Sequence, residues 1–306
     1  MYERYYGLKE RPFDLSPNPR FLCFTPQHRE ALAHLEYGLA GRPGVTVLIG
    51  EAGTGKTTLV RKALQASTED SLIVHLSNPT LTRAEFFEYL AGGFNFSRMA
   101  GKSKIHFLRE LHDALNDDAG PRLALVVDEA QSVPYELLEE IRLLTNAEAA
   151  SGRSIAVALV GQPELARRLD ETRLRQLKQR VVLRCELTPL SLKDTAAYIS
   201  ARVKTAGGEA TQLFSRDAVM AIHQHSNGIP RVISVICDNA LVNGFAANQK
   251  PVGAAAVTDV CRSLALPFNA PKPAAAPAPV RMPEPAPVQD NAPMFAVFGR
   301  RRFSFF

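Results

Sequence analysis

The sequence predicts an α/β protein with a parallel β-sheet, followed by a separate all-helical unit. Short apolar segments alternate with helical patterns up to residue 187, which is typical of a parallel sheet covered by helices on both faces. Strand signals stop after Leu190, and the pattern over residues 191–266 favours helices only. A glycine-rich segment, Gly50 to Thr57, follows the first predicted strand and precedes a helix. These three observations define the predicted architecture.

The elements are predicted in the following order. Residues 1–24 are aromatic and interrupted by prolines, so we expect an extended segment that lies against the body. Thr25-Pro26 is typical of a helix start, because a threonine cap precedes a proline at the first helical position. Strands are expected at residues 45–49, 71–77, 122–127, 154–161 and 181–187. Helices are expected at residues 28–39, 57–64, 82–90, 103–116 and 135–149, with short helices within 163–179.

The helical unit and the C-terminal segment differ in composition. Ser191 starts a helix and Asp194 follows three residues later, a short variant of a capping box. Helices are expected at residues 191–206, 215–225, 230–245 and 254–264. Residues 267–306 contain nine prolines and eight alanines, which indicates a disordered or polyproline segment.

Composition limits the function classes. The chain of 306 residues is 46% hydrophobic and 22% charged, as in soluble globular proteins. It has no apolar run of about 20 residues and no signal peptide, so a cytoplasmic location is expected. The cysteines lack a CxxC spacing and are expected to be isolated buried thiols: Cys23, Cys185, Cys237 and Cys261.

The formal charge of +5 is unevenly distributed. Residues 267–306 hold five basic and two acidic residues, so the first 266 residues are nearly neutral. Nucleic-acid-binding domains usually carry a concentrated basic face. The charge distribution therefore argues against DNA as a partner.

The glycine-rich segment fits the P-loop pattern G-x-x-x-x-G-K-[ST] at every fixed position. Backbone N–H groups of such a loop, with the N-terminus of the following helix, bind phosphate oxygens. Lys56 is expected to reach the β- and γ-phosphates of ATP, and the Thr57 hydroxyl to bind Mg²⁺. The expected nucleotide-binding residues are Gly50, Glu51, Ala52, Gly53, Thr54, Gly55, Lys56, Thr57 and Thr58.

Asp128 and Glu129 follow a buried apolar strand, as in a Walker B element. Asp128 is expected to hold Mg²⁺ directly or through water, and Glu129 to polarise the attacking water. The alternative is an acidic strand-to-helix cap. Gln162 ends the next strand, where a polar side chain can contact the γ-phosphate or position the water, or else cap the following turn.

Arginines supply the remaining candidates. Arg231 follows Pro230 at the start of a helix in the helical unit, from which it can point at the phosphates across a cleft. Arg173, Arg175 and Arg180 precede the fifth strand, and one of them can reach the ATP of a neighbouring subunit; Arg180 is our choice. The alternatives are an ordinary helix-start arginine and a solvated basic surface.

These residues in this order resemble an AAA+ ATPase. Several segments are similar to the ExeA/GspA-like ATPases of bacterial secretion and pilus assembly: Met1–Leu8, Pro12–Phe21, His28–Leu32, Asp128–Gln131, Val160–Leu165 and Gln176–Arg180. The resemblance covers residues 1 to about 266. It implies a P-loop NTPase sheet of order 5-1-4-3-2, with Gln162 and Arg231 as nucleotide sensors and Arg180 as a finger in trans. It also implies ATP and Mg²⁺ as cofactors and ATP-driven homo-oligomerisation.

The resemblance divides the chain and suggests partners. It implies an N-terminal linker packed on the ATPase core (residues 1–24), an ATPase domain (25–188), a helical lid (189–266) and the proline-rich tail (267–306). Family members that act on peptidoglycan continue into a transmembrane helix and a wall-binding domain, which this sequence lacks. An envelope or secretion-machinery protein is therefore the expected partner, rather than peptidoglycan itself.

Three function hypotheses follow. The first is an ATP-hydrolysing assembly factor for type II secretion, a pilus, or an exopolysaccharide or protein-sorting system. The second is a DNA-dependent ATPase of transposition or recombination. The third is a nucleotide-switched scaffold with little turnover. The tail ends in Arg300, Arg301 and Arg302 between phenylalanines, so weak peripheral contact with the inner membrane is the alternative to a frayed terminus.

Overall fold

The computed structural model describes residues 1–15, 19–21, 24–40, 44–66, 70–77, 79–147, 149 and 152–266. These residues belong to one compact unit. The proline-rich tail over residues 267–306 and Cys23 lie outside the described residues, so the expectations about them stay predictions.

A five-stranded parallel sheet forms the centre of the first 187 residues. Its strand order is β2-β3-β4-β1-β5, which confirms the predicted order 5-1-4-3-2. Because β4 lies between β1 and β3, the carboxyl ends of these three strands are neighbours at one edge of the sheet. The strands are β1 Val45–Gly50, β2 Ser71–Leu76, β3 Arg122–Val127, β4 Ala156–Gly161 and β5 Val181–Leu187.

Helices pack against both faces of the sheet. Alternate strand residues enter two separate apolar cores; Val47 belongs to one and Leu48 to the other. This burial on both faces explains why the strands are almost continuously apolar. Up to the fifth strand the helices are α1 Tyr2–Tyr6, α2 Pro26–Leu39, α3 Lys56–Ala66, α4 Arg83–Gly93, α5 Arg98–Lys102, α6 Lys104–Asn116, α7 Tyr135–Leu144, α8 Pro163–Leu169 and α9 Arg175–Lys178.

The helical unit follows β5. It consists of α10 Leu192–Thr205, α11 Ala210–Leu213, α12 Arg216–Ser226, α13 Pro230–Ala246 and α14 Ala254–Ser263. Ser191 caps α10 by accepting from the Asp194 N–H at 3.1 Å, as predicted. Cys237 and Cys261 are free and buried in its core, and Cys185 is free and buried in the sheet, which confirms the prediction for these three. Among the described helices, none is both long enough and apolar enough to cross a bilayer.

The N-terminal segment differs from the prediction in two ways. Residues Tyr2–Tyr6 form α1, whereas the sequence predicts extended structure. Tyr2, Tyr6 and Phe13 are buried in the core of the helical unit, so the predicted packing on the ATPase core is wrong for these residues. The physical reason is that the tyrosine hydroxyls find partners on α13 and just beyond it, at Asp238 and the carbonyl of Gln249.

Smaller differences concern helix boundaries. The helix predicted to begin at Ser103 is preceded by α5, which Ser97 caps through the Ala100 N–H. The helix predicted to reach Ala149 ends at Leu144, and α11 falls in a stretch where no helix is expected. These short elements depend on local caps and on packing, which hydrophobic periodicity does not detect.

The connection between the sheet and the helical unit depends on Gly228. The Leu190 N–H donates to the Gly228 carbonyl at 2.8 Å, and Gly228 has a φ of +72°. A Cβ at this position would lie 2.1 Å from the Leu190 carbonyl oxygen. Only glycine therefore combines the left-handed turn with this close backbone contact.

The Gly228→Ala variant is expected to lose about 2 kcal/mol of folding free energy, because a left-handed alanine is strained and its methyl group forces Leu190 to move. Urea denaturation measures the loss. Gly92→Ala is the matched control: Gly92 lies within α4 with no atom within 4 Å of a Cβ, so its substitution should not destabilise the protein. Equal stability of Gly228→Ala and wild type would contradict the role of this turn.

Candidate functional site

The glycine loop connects β1 to α3 at the carboxyl edge of the sheet. Gly53 has a φ of +85°, and a Cβ there would lie 2.8 Å from the Cβ of Arg231. Glycine at this position thus permits both the turn and the close approach of the helical unit. The Thr54 hydroxyl donates to the Glu51 carbonyl at 2.8 Å, which closes the loop on itself.

Lys56 is the first residue of α3 and is 5% exposed. Its Nζ donates to the carbonyls of Gly50 at 2.8 Å and Glu51 at 3.0 Å. Burial lowers the pKa of Lys56, and the nearby carboxylates of Glu129 and Asp128 oppose that shift. These two backbone carbonyls therefore hold the ammonium group over the loop. Phosphate oxygens can compete with the carbonyls for its N–H donors.

Asp128 follows β3 and is 3% exposed. Its Oδ2 accepts from the Thr57 hydroxyl at 2.7 Å, and its Oδ1 accepts from the Glu129 N–H at 2.9 Å. The adjacent hydroxyl and carboxylate oxygens fit Mg²⁺, which prefers oxygen ligands and takes the rest from phosphates and water. In the part of the chain that the structure describes, no group of three or more His, Cys, Asp or Glu could hold a metal ion.

Glu129 has an unusual backbone and a constrained side chain. Its φ of 51° lies in the left-handed region, which is uncommon for a residue other than glycine. Its Oε2 accepts from Gln131 Nε2 at 2.5 Å and from Gln162 Nε2 at 3.2 Å. Burial raises the pKa of Glu129, but these hydrogen bonds and the charge of Lys56 outweigh it, so the net shift is downward. The carboxylate is thus kept ionised.

Gln131 links Glu129 to the neighbouring strand end. Its Oε1 accepts from the backbone N–H of Gln162 at 3.0 Å, while its Nε2 holds Glu129. The orientation of the carboxylate therefore depends on two glutamines from different segments. The sequence predicted Gln162 but assigned no role to Gln131.

The helical unit contacts the loop through the start of α13. The Arg231 N–H donates to the Gly53 carbonyl at 3.2 Å. The side chain of Arg231 is exposed and lines the same cleft as Lys56. The glycine loop and the helical unit therefore both contribute to one site.

The cleft has a volume of about 390 Å³. Among the residues lining it are predicted site residues from the loop, from the segment after β3 and from the start of α13: Ala52, Gly53, Thr54, Gly55, Lys56, Thr57, Thr58, Glu129, Pro230 and Arg231. Gly50, Glu51, Asp128 and Gln162 do not line the cleft but are bonded to residues that do. The structure thus places nearly all of the predicted site residues together.

Apolar and aromatic residues also line the cleft, among them Phe21, Leu190 and Tyr198. Arg202 lies 5.2 Å from the centre of the Phe21 ring and donates to the Tyr198 hydroxyl at 2.7 Å and the Asp14 carbonyl at 2.9 Å. It thereby fixes the N-terminal segment to the helical unit. A cleft lined by both polar and aromatic residues fits a nucleotide, which has charged phosphates and a flat base.

Arg180 lies apart from this cleft. Its side chain is exposed and donates to Asn146 Oδ1 at 2.5 Å, and it directly precedes β5. Arg173, the second arginine considered, lies 4.4 Å from the centre of the Tyr135 ring. Neither lines the cleft of its own chain, so a role in the site of a neighbouring copy stays a prediction.

Comparison with known proteins finds an AAA domain and one curated relative. A family model described as an AAA domain matches residues 40–169, which contain β1 to β4. General secretion pathway protein A from Aeromonas hydrophila is 42% identical over 254 residues, 82% of this chain. Residues 40–169 of the chain thus match an AAA domain. The chain spans 46% of the length of that curated relative.

Solved structures support the AAA fold. The Aeropyrum pernix ORC2 protein, solved in ADPNP–ADP complexes, has a TM-score of 0.60 at 18% identity, covering 83% of this chain and 71% of that one. Cdc6p from Pyrobaculum aerophilum has a TM-score of 0.58 at 21% identity, covering 79% and 67%. At these identities the comparison shows the fold alone.

Proposed function

We propose that this AAA protein binds ATP with Mg²⁺ and hydrolyses it in the cleft between the glycine loop and α13. The observation that carries the proposal is the arrangement around Glu129: an ionised carboxylate, held by Gln131 and Gln162, in the same cleft as Lys56. Hydrolysis of a γ-phosphate requires a group that polarises water next to groups that bind phosphate. The cleft supplies both.

Each side chain has a distinct role in this proposal. Bound by Thr57 and Asp128, Mg²⁺ would neutralise charge on the β- and γ-phosphates. Lys56 binds the phosphates with its ammonium group, and Glu129 accepts a proton from the attacking water. Gln162 orients the Glu129 carboxylate through its hydrogen bond and contacts the γ-phosphate when ATP is bound.

Arginines connect hydrolysis to conformation. Arg231 is bonded to the loop through its backbone, so its exposed side chain can reach the γ-phosphate while α13 stays in contact with Gly53. Arg180 is exposed and can enter the cleft of a neighbouring copy, which implies a nucleotide-dependent homo-oligomer. In this proposal residues 25–188 form the ATPase domain and residues 189–266 the lid.

The similarity to general secretion pathway protein A suggests the process that ATP drives. We propose an assembly or energising factor for a bacterial envelope system, acting at the cytoplasmic face of the inner membrane on a secretion-machinery protein. The described residues hold no membrane-spanning helix, so peripheral association through a protein partner fits this placement.

The proposed chemistry is tested by phosphate release from ATP. We expect hydrolysis in the presence of Mg²⁺ and background rates after chelation with EDTA, because Thr57 and Asp128 then have no ion to present to the phosphates. Restored activity on adding back Mg²⁺ is the control. Undiminished hydrolysis in EDTA would contradict the assigned metal site.

The proposed partner is tested by capture. A Glu129→Gln protein loaded with ATP should stay in its ATP-bound state and retain envelope proteins from solubilised membranes. The same protein loaded with ADP is the control. Equal recovery of every protein in both states would contradict ATP-dependent partner binding.

A further inference from the structure

We propose that His28 is a positioning residue of the nucleotide site, which holds the Thr54 carbonyl and thereby fixes the shape of the glycine loop. The inference rests on the proposed function, since it assumes that this loop binds phosphate. His28 lies in the first turn of α2, far from the loop in sequence, and it also lines the cleft.

His28 is 5% exposed, and both of its ring nitrogens have partners. Nδ1 lies 2.7 Å from the Thr25 hydroxyl oxygen, and Nε2 lies 3.0 Å from the Thr54 carbonyl oxygen. A carbonyl oxygen only accepts hydrogen bonds, so Nε2 carries the proton. Nδ1 then accepts from the Thr25 hydroxyl, whose oxygen also accepts from the His28 N–H at 3.3 Å.

These contacts define a single neutral tautomer. Burial lowers the pKa of His28, which agrees with a neutral ring that donates at one nitrogen and accepts at the other. Thr25 has two functions in this network: it caps α2 and it orients the imidazole. The start of α2 is therefore linked to the loop by one continuous set of hydrogen bonds.

Thr54 is the residue of the loop that needs such support. It lies between Gly53 and Gly55, whose φ angles are +85° and +103°. Because glycines flank Thr54, the backbone restricts the orientation of the Thr54 carbonyl less than in an ordinary loop. A carbonyl that turned toward the cleft would place a partial negative charge against the phosphates. The bond from His28 prevents this rotation and keeps the loop ready to bind an anion.

The test compares His28→Phe, which keeps a ring but loses both nitrogens, with His28→Gln, which keeps a donor of similar reach. His34→Phe is the matched control on the same helix, because His34 Nδ1 is buried without a partner among the described residues. Calorimetry with Mg²⁺ and ADP gives the affinity, and steady-state ATP hydrolysis gives KM and kcat.

We expect His28→Phe to weaken ADP binding and raise KM about tenfold, the effect of one lost buried hydrogen bond, with kcat changed less than about twofold. The ADP affinity and KM of His28→Gln should stay within about threefold of the wild-type values. His34→Phe should have the ADP affinity and KM of wild type. If His28→Phe does not fold, His28→Asn, which is too short to reach Thr54, replaces it with the same expected result.

Melting temperatures with and without ADP separate positioning from stability, because a purely structural role lowers both equally. Unchanged ADP affinity in folded His28→Phe, or equal losses in His28→Gln and His28→Phe, would overturn the inference about His28 alone. A wild-type protein that binds no nucleotide would instead overturn the proposed function.

Discussion

The Glu129→Gln variant is expected to hydrolyse ATP about 10²- to 10⁴-fold more slowly than wild type, the usual contribution of a general base. An amide has the shape of the carboxylate but cannot take the proton from water. Its carbonyl oxygen can still accept from Gln131 and Gln162, which now hold the carboxylate. Phosphate release at saturating ATP measures the loss, and ATP affinity should stay unchanged.

Glu136→Gln is the matched control, since Glu136 is an exposed residue of α7 outside the cleft. It should hydrolyse ATP at the wild-type rate. Equal rates for Glu129→Gln and wild type would show that another group activates the water. Full function of Glu129→Gln in a cell would favour a nucleotide-switched scaffold over an enzyme.

The Lys56→Met variant is expected to bind ATP at least about 100-fold more weakly, because each hydrogen bond from an ammonium group to phosphate stabilises binding by about 1.5–3 kcal/mol. Methionine fills similar space without charge. Without nucleotide, the variant loses the hydrogen bonds to the Gly50 and Glu51 carbonyls but no longer buries a charge. These effects oppose each other, so the folding free energy should change by less than about 2 kcal/mol. Calorimetry with ATP measures the affinity, and urea denaturation measures the folding free energy.

Lys62→Met controls for the loss of a lysine on the same helix, since Lys62 lies outside the cleft. Its ATP affinity should equal that of wild type. An affinity within threefold of wild type for Lys56→Met would place the phosphates elsewhere. A large loss of stability would indicate a structural role for Lys56.

Local patterns were sufficient to predict the part of the candidate site that lies at the edge of the sheet. The segment from Gly50 to Thr57 contains the glycines of its own turn and the start of the helix that follows β1. Asp128 and Glu129 follow β3, and the run of apolar residues in β3 indicates that this strand is buried. Because parallel strands end at one edge, these motifs meet there whatever the details of the helices. Gln162 follows from the same argument once β4 is placed between its neighbours.

Contacts between segments distant in sequence could not be predicted. His28 and Arg202 line the cleft from α2 and α10, and the sequence analysis assigned neither of them a role in the site. Their roles depend on the fold that brings these two helices to the loop. Gln131 belongs to the same strand end as Glu129, but nothing in its spacing shows that its amide bridges to Gln162. Such roles appear only when donor and acceptor positions are known.

The N-terminal helix shows the same limit. A five-residue helix such as α1 is too short to be stable alone. Its tyrosines bind the helical unit: Tyr5 packs edge-on against Phe245, with ring centres 5.4 Å apart. The left-handed Gly7 that ends α1 is the one local signal that could have indicated a helix.

The most direct test of the account is the structure of the Glu129→Gln protein bound to ATP and Mg²⁺. We expect the phosphates against the backbone of residues 53–57, with Arg231 close to the γ-phosphate and the base within the same cleft, which Phe21 and Tyr198 also line. The side chain at position 129 should lie next to the γ-phosphate, where the attacking water would bind. A nucleotide bound outside this cleft, or phosphates beyond the reach of Lys56, would contradict the central claim. That claim is that the glycine loop and the helical unit together build one site for ATP hydrolysis.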